Sequence, residues 1–281
     1  ELIDMLARAR GLGWSIALDD VGADPRSLAL MPIVRPDVIK LDRGVVQSMD
    51  APATAALVTA IAAECERTGA LVLAEGIETE EQRRAAMACG ATLGQGWLFG
   101  RPGPLADGSS SAWRPPSLPP SRRVAEDATP YGVVAAHRPV SVAGWTFLLQ
   151  ISLMLEARAA ALGPEAVIVS AFQDDVRFTP ATAVRYEALA DAASFVAALA
   201  VGLDPEPAPG VRGSALPPDH PLRGEWSVVV LGSHFAGALV ASEIPGSGTG
   251  RRADFAYAVT YDRDLVIAAA TSLMRQVARA A

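Results

Sequence analysis

The chain has 281 residues, 51% of them hydrophobic, and carries a formal net charge of −7. This length suits one large domain or two ordinary ones, with enough apolar residues for a core. The acidic balance argues against a general nucleic-acid binder, which needs a basic surface, but it is compatible with a small anionic ligand because a bound metal ion can invert the local field.

Residues 1–101 alternate helical and extended patterns. The predicted order is a helix at 1–10, a strand at 14–18, a short helical turn at 27–30, a strand at 37–41, a helix at 52–68, a strand at 70–74, a helix at 79–89 and a strand at 91–97. Gly69 suits the end of one helix, and Thr79 with Gln82 has the spacing of a capping box at the start of the next. The strands are short and apolar on both faces, which is typical of buried parallel strands.

Polar side chains end the four apolar runs. The Asp19-Asp20 pair ends the first run, Lys40 the second, Glu75 the third and Gln95 the fourth. The carboxyl ends of parallel strands meet at one mouth of an α/β barrel, and barrel enzymes place their active sites there. We therefore expect these side chains to converge.

These residue types suit the binding of a divalent metal ion and a phosphodiester. The carboxylates of Asp19, Asp20 and Glu75 are hard oxygen ligands of the kind that hold Mg²⁺ or Mn²⁺. The ammonium group of Lys40 suits neutralising a phosphate or holding an attacking water. The amide of Gln95 suits orienting water or phosphate.

Each of these residues alone also has an ordinary structural explanation. An aspartate pair after a strand commonly caps a helix or forms a turn, and Lys40 can pair with Asp42 at the rim of the sheet. Glu75 before Gly76 is compatible with a turn, and Gln95 with a hydrogen-bonded core amide. Their occurrence at four successive strand ends favours the metal site.

The composition changes after residue 104. Residues 105–130 are rich in proline, serine and charge, which predicts a semi-rigid linker. From residue 131 onward the patterns predict an α+β domain with an antiparallel sheet. Its predicted elements are helix 146–162, strand 165–172, a long helix 179–202, a Pro/Gly loop 204–224, a hairpin of 226–232 and 235–242, strand 255–262 and helix 263–280.

The second domain shows no convincing catalytic constellation. Asp174 and Asp175 follow a strand, but partner carboxylates do not follow at other strand ends, so helix capping before Thr179 explains them better. The longest apolar run, 145–155, is too short to span a membrane. We therefore expect a chain without a membrane span, located in the cytoplasm.

Four motifs occur in order in the first part: ALDDVGADPRSL, RPDVIKLD, VLAEGIETEEQ and LGQGWLFGRP. They resemble the second half of the EAL domain, over residues 1–104. That family comprises cyclic di-GMP-specific phosphodiesterases with a TIM-like barrel fold. The resemblance implies a partial, half barrel whose remaining metal ligands lie upstream of residue 1.

The resemblance also implies a role for each polar residue. Asp19, Asp20 and Glu75 match metal-binding carboxylates of the family. Lys40 matches its catalytic lysine, which acts on the hydrolytic water, and Gln95 matches a glutamine near that water.

Three stretches of the second part are TFLLQISLMLEARA, AVIVSAFQ and FAYAVTYDRDLVIAAATSLM. They resemble the DICT domain, a sensory module, over residues 131–281. The resemblance implies that this domain senses a small-molecule or protein signal of unknown identity.

Together, the resemblances imply a cyclic di-GMP signalling protein. In the intact protein the first domain would hydrolyse cyclic di-GMP with Mg²⁺ or Mn²⁺ under control of the second, while the present segment is expected to be inactive alone. A homodimer is compatible with this interpretation. The alternative is a non-catalytic cyclic di-GMP receptor or protein-interaction module, because the loop 21–25, VGADP, departs from the family's Phe-Gly-Thr-Gly.

Four parallel strands also leave two open edges, so we expect 1–104 to be marginally folded by itself.

Overall fold

The computed structural model describes residues 2–47, 52–104, 118, 128–248 and 250–277. They form two compact units, which we treat separately. The N-terminal unit is built around a four-stranded sheet and the C-terminal unit around a seven-stranded sheet.

The N-terminal unit alternates helices and strands. Its elements are α1 (Leu2–Gly11), β1 (Ala17–Val21), α2 (Arg26–Val34), β2 (Val38–Leu41), α3 (Arg43–Gln47), α4 (Pro52–Thr68), β3 (Leu71–Ala74), α5 (Glu80–Ala88) and β4 (Leu93–Gly94). The strands pair in parallel in the order β1-β2-β3-β4. The predicted parallel α/β fold is therefore confirmed.

Local signals set two of the helix boundaries. Gly69 adopts φ +77, and its N–H donates to the Cys65 carbonyl at 2.7 Å, which ends α4. Thr79 and Gln82 form the predicted capping box, each side chain accepting a hydrogen bond from the other residue's backbone N–H. Helix α4 thus ends just before Gly69 and helix α5 begins just after Thr79, as the sequence predicts.

One face of the parallel sheet is buried, and the other is partly open. Ile39 and Leu41 of β2, like Ala74 of β3, are fully buried, whereas the alternate residues of both strands are half-exposed. The expectation that both faces are buried is therefore not met. Among the described residues of β2 and β3, the side chains on the second face are less completely buried than those on the first.

The ends of two strands differ from their predictions. β1 begins three residues later than predicted and extends to Val21, so Asp19 and Asp20 lie inside the strand rather than after it. β4 is only two residues long; the next residue, Gln95, still donates its N–H to the Ala74 carbonyl, and its own carbonyl accepts from the Ile77 N–H. Helix α2 is longer than the predicted turn, and α3 was not predicted.

The C-terminal unit contains a mixed sheet with helices against it. Its elements are α6 (Pro130–Ala135), β5 (Ser141–Gly144), α7 (Trp145–Leu162), β6 (Val167–Asp174), α8 (Pro180–Ala192), β7 (Phe195–Val201), β8 (Arg212–Leu216), β9 (Glu225–Leu231), β10 (Ala236–Glu243), β11 (Asp254–Thr260) and α9 (Arg263–Gln276). The strand order is β5-β11-β10-β9-β6-β7-β8. The neighbouring pairs β5-β11, β11-β10, β10-β9 and β9-β6 are antiparallel, as predicted. The pairs β6-β7 and β7-β8 are parallel.

The predicted long helix 179–202 is wrong in its second half. Helix α8 ends at Ala192, and β7 follows after a reversal in which the Ser194 N–H donates to the Ala166 carbonyl at 3.0 Å. The sequence of β7, FVAALAV, is apolar throughout, so its periodicity does not distinguish a helix from a buried strand. The segment forms a strand because it is buried between β6 and β8.

Two other predictions for this unit are corrected, those for the loop 204–224 and for capping by Asp174 and Asp175. β8 lies inside the predicted loop 204–224, and β5 was not predicted. The linker 105–130 falls mostly outside the described residues, and its last residue, Pro130, begins α6. Thr179 itself caps α8, so Asp174 and Asp175 do not serve as its cap.

Helix α7 is longer than the apolar run 145–155 suggested. By length and composition, the stretch Trp145–Glu165 could cross a membrane, and it is the one such candidate among the described residues. Core helices of folded domains meet the same criterion, and Leu148 and Leu155 of α7 are fully buried against the sheet. Glu156 of the same helix is buried and pairs with Arg185 of α8 at 2.8 Å.

Candidate functional site

A bulge in β1 shapes the polar end of the parallel sheet. The register of β1 on β2 slips between Leu18 and Val21. Two residues of β1, Asp19 and Asp20, consequently lie opposite Lys40 of β2, which is the arrangement of a β-bulge. Asp20 adopts φ +53, and its N–H contacts Asp19 Oδ1 at 3.1 Å. Aspartate is among the few residues that tolerate this left-handed conformation.

Lys40 lies between two carboxylates. Its Nζ is 2.6 Å from Asp19 Oδ1 and 2.6 Å from Glu75 Oε1. Glu75 directly follows β3, and its N–H donates to the Leu41 carbonyl at 3.2 Å, which holds it at the same end of the sheet. The hydrogen bond from Lys40 lowers the pKa of Asp19, and the bonds to Asp19 and Glu75 raise the pKa of Lys40.

Three carboxylates converge at this point. Oxygen atoms of Asp19, Asp20 and Glu75 all lie within 4.8 Å of one another. Asp19 is open to solvent, with its side chain 60% exposed, whereas that of Glu75 is 25% exposed. Oxygen donors at this spacing fit a hard divalent cation such as Mg²⁺ or Mn²⁺. In the part of the chain that the structure describes, no other set of acidic, histidine or cysteine side chains has this geometry.

Gln95 lines an open cleft beside this cluster. Its backbone is fixed on both sides, because its N–H donates to Ala74 O at 2.9 Å and its carbonyl accepts from Ile77 N at 3.0 Å. The cleft has a volume of about 660 Å³ and begins at Gly76, the residue after Glu75. The structure thus brings Asp19, Asp20, Lys40 and Glu75 into contact range and places Gln95 on the neighbouring wall.

Further polar and aromatic groups line the cleft, and two of them, Arg43 and Trp97, were not predicted as site residues from the sequence. Arg43, Glu78, Trp97 and Arg101 also line it. The Arg101 guanidinium lies 4.1 Å from the centroid of the Trp97 ring, a cation–π contact. Arg43 follows the end of β2 by two residues, so its position relative to a strand end was the available signal.

These features define a class of protein before any comparison. A parallel α/β segment with carboxylates and a lysine at the carboxyl end of its strands is the pattern of a barrel-type, metal-binding site. The chemistry of the side chains suits an anionic ligand.

Comparison with known families agrees with this class. Residues 1–102 match the model of the EAL domain, and residues 133–244 match that of the DICT domain, described as a sensory domain in diguanylate cyclases and two-component system. The predicted order, an EAL segment followed by a DICT domain, is therefore confirmed.

Individual relatives match the first part of the chain. The cyclic di-GMP phosphodiesterase RocR of Pseudomonas aeruginosa is 36% identical over 103 residues, which cover 36% of this chain and 26% of RocR. The probable cyclic di-GMP phosphodiesterase PdeD of Escherichia coli is 34% identical over 116 residues, covering 41% of this chain and 21% of PdeD. Among solved structures, the manganese and cyclic di-GMP complex of Klebsiella pneumoniae BlrP1 is 36% identical, with a TM-score of 0.32, over 35% of this chain and 26% of that one. The chain thus spans about a quarter of the length of these relatives.

Proposed function

We propose that this chain belongs to a metal-dependent cyclic di-GMP phosphodiesterase and forms the acidic wall of its active site. The observation that supports this most directly is the convergence of Asp19, Asp20 and Glu75 around Lys40 at the ends of three adjacent strands. Relatives named as cyclic di-GMP phosphodiesterases align over the segment that contains these residues.

Asp19, Asp20 and Glu75 would hold a divalent ion, because their oxygens are close enough to share one and suit Mg²⁺ or Mn²⁺. When bound, such an ion supplies charge stabilisation at the phosphate and lowers the pKa of a bound water. Lys40 would hold the attacking water or a phosphate oxygen, and its positive charge would offset the charge that develops during P–O cleavage. Gln95, on the wall of the cleft, would orient water or a phosphate oxygen.

The cleft beside the cluster would bind the rest of the dinucleotide. Arg43 and Arg101 offer cations to phosphates, and Trp97, 55% exposed, offers a flat ring to a base. Trp97 and Arg101 lie on the segment that follows β4, and Arg43 is the first residue of α3, two residues after the end of β2.

The arrangement of domains follows from this proposal. Residues 1–104 would form the partial EAL domain, 105–130 a linker and 131–281 a sensory domain that regulates hydrolysis in response to a small-molecule or protein signal. The intact protein would act in the cytoplasm, where cyclic di-GMP is a soluble ligand.

The test uses the protein that contains the whole EAL domain. We expect Lys40→Ala to abolish hydrolysis of cyclic di-GMP in Mg²⁺ or Mn²⁺, because the attacking water loses its partner, while the circular dichroism spectrum stays unchanged. Arg83→Ala is the matched control, since Arg83 pairs with Glu80 on the exposed side of α5 and should keep full turnover.

Two outcomes would each contradict a part of this proposal. Undiminished hydrolysis in the Lys40 variant would remove the proposed role of this residue. Tight binding of cyclic di-GMP by the unmodified protein without formation of a linear product would favour the alternative, a non-catalytic receptor.

A further inference from the structure

Lys40 is the one lysine in the sequence. The remaining 23 of the 24 lysine and arginine residues are arginines. An ammonium group on a flexible four-carbon stem is a compact charge that can change partners, whereas a guanidinium is a planar fork suited to a fixed pair. The chain thus places the more mobile kind of cation among the three converging carboxylates.

The backbone of Lys40 is fixed, so only its side chain can move. Lys40 lies inside β2, in register with Leu73 of β3, and the bulge of β1 lies opposite it on the other side. A shift of its backbone would break the pairing with both strands. The stem is held at its far end, where Nζ contacts Asp19 and Glu75.

The contacts of Lys40 use oxygen atoms that a metal ion would need. Asp19 Oδ1 accepts from Lys40 Nζ at 2.6 Å and from the Asp20 N–H at 3.1 Å. Because a carboxylate oxygen has two lone pairs, this atom has none left for a metal ion while Lys40 is bound. Glu75 Oε1 also lies 2.6 Å from Nζ. A divalent ion can take these two oxygens only by displacing the lysine.

The remaining carboxylate oxygens do not avoid the competition. An ion bound to them would still lie close to the ammonium group, and two cations at that separation repel each other. The side chains of Lys40 and Glu75 are 24% and 25% exposed, so salt and solvent screen this pair less than a surface pair. Lys40 therefore opposes a divalent ion by occupying ligand atoms and by charge.

We propose that Lys40 is an exchangeable internal cation of this site. It holds Asp19 and Glu75 until a divalent ion takes these carboxylates, and the exchange releases its ammonium group to hold the attacking water or a phosphate oxygen. The inference rests on the proposed function, which assigns the ion to the carboxylates and the water to Lys40. It adds that the two events are coupled: the lysine weakens metal binding to the same extent that the metal weakens the hold on the lysine.

The single lysine makes this release directly observable by nuclear magnetic resonance. When the 281-residue chain is labelled with ¹³C at lysine Cε, one lysine signal is expected, and it belongs to Lys40. Mg²⁺, which is diamagnetic, should move this signal along a saturable curve. Asp19→Asn removes one contact of Lys40 and one proposed ligand. In that variant the signal should start at a different position, and Mg²⁺ should leave it there.

Calorimetric titration with Mn²⁺ measures the competition itself. Lys40→Met keeps an unbranched, flexible side chain without the charge, and it should bind Mn²⁺ about tenfold more tightly or better. Lys40→Arg keeps the charge and should bind no more tightly than the unmodified chain. Arg26→Met is the matched control for net charge, because Arg26 is exposed at the start of α2 and its loss should change the affinity by less than about twofold.

The outcomes separate this inference from the function on which it rests. If Mn²⁺ binding depends on Asp19 but Mg²⁺ does not move the Lys40 signal, the metal site stands and the exchange is overturned. The exchange is also overturned if Lys40→Met, with an unchanged circular dichroism spectrum, binds Mn²⁺ no more tightly than Lys40→Arg, or if Arg26→Met gains as much. If neither the unmodified chain nor Lys40→Met binds Mn²⁺, both the exchange and the proposed metal site are overturned.

Discussion

At the scale of single residues, the buried pair of Glu156 and Arg185 shows how burial and a partner oppose each other. The Glu156 side chain is 7% exposed and accepts from Arg185 Nε at 2.8 Å, while Arg185 is 35% exposed. Burial raises the pKa of Glu156, and the arginine opposes this only in part. Because the folded-state pKa lies above the ordinary value of 4.5, this carboxyl makes its full contribution to stability below that value and loses it as pH rises through the folded pKa.

Replacing Arg185 by methionine should make this pH dependence steeper. The substitution keeps the apolar stem but leaves the buried carboxylate without its cation, so we expect a loss of about 1–3 kcal/mol in unfolding free energy at neutral pH. Below the ordinary pKa of glutamate the loss should be small, because Glu156 is then protonated in both states. Urea unfolding followed by circular dichroism at pH 4 and pH 7 measures the difference.

The control for this prediction is Arg138→Met. Arg138 has similar exposure, 34%, and pairs at 2.7 Å with Asp262, which is 42% exposed. An exposed pair of this kind contributes less than about 1 kcal/mol. Equal losses for the two variants, or a loss at Arg185 that does not depend on pH, would show that burial of Glu156 is not the cause.

The residues of the candidate site were predictable from sequence, but their arrangement was not. Four polar strand ends identified Asp19, Asp20, Lys40 and Glu75, because parallel strands bring their carboxyl ends together. The bulge that sets both aspartates opposite Lys40 depends on the pairing register of β1 with β2, which no local pattern encodes. Arg43, on the wall of the cleft, was missed although it follows the end of β2 by only two residues.

At the scale of elements, predictions succeeded where a local signal fixed the boundary. Helices α4 and α5 match their predictions, since Gly69 ends one and the Thr79 capping box begins the other. β7 was missed because an alanine-rich apolar run suits both a helix and a buried strand, and only its neighbours β6 and β8 decide. β5 and β8, the short edge strands, lack the apolar runs by which strands are recognised.

The loop after β4 provides a test at this scale. Gly96 adopts φ +156, and a Cβ there would lie 2.1 Å from the Ile77 carbonyl oxygen, a backbone atom that cannot rotate away. Gly90 also has a positive φ, +87, but its Cβ would meet nothing within 4 Å. We expect Gly90→Ala to cost about 1 kcal/mol. Gly96→Ala should cost about 3 kcal/mol or more, because the loop that holds Gln95 must move.

Thermal unfolding of the two glycine variants measures this difference. Hydrogen exchange around residue 95 should increase in Gly96→Ala and stay unchanged in Gly90→Ala. If the two variants lose the same stability, the close packing of Gly96 on Ile77 is not a constraint on the loop.

At the scale of the whole molecule, the two sheets differ in how completely they are covered. β9 is buried along its entire length, and both α7 and α9 pack on it, so both faces of that sheet are covered. The parallel sheet has one buried face and one partly open face among the described residues. A sheet with one partly open face buries less apolar surface, and apolar burial is the main favourable term in folding.

This difference predicts two separate transitions in scanning calorimetry of the chain. The C-terminal unit should unfold sharply at higher temperature, and the N-terminal unit broadly at lower temperature, because less apolar surface is buried there. Mn²⁺ should raise only the lower transition, since a ligand of the native state stabilises it by about 2.7 kcal/mol at a hundredfold excess over its Kd.

Two variants separate metal binding from a general effect of charge. Asp19→Asn removes one of the three converging carboxylates and should abolish the Mn²⁺ shift. Glu80→Gln removes an equally exposed carboxylate, 60%, from the surface of α5 and should leave the shift intact. If Mn²⁺ still raises the lower transition temperature in Asp19→Asn, the ion binds elsewhere. A single sharp transition for the whole chain would mean that the partly open face of the parallel sheet does not weaken its unit. The stability of that unit and its proposed capacity for the metal thus depend on the same sheet, whose buried face forms the core and whose strand ends carry the proposed ligands.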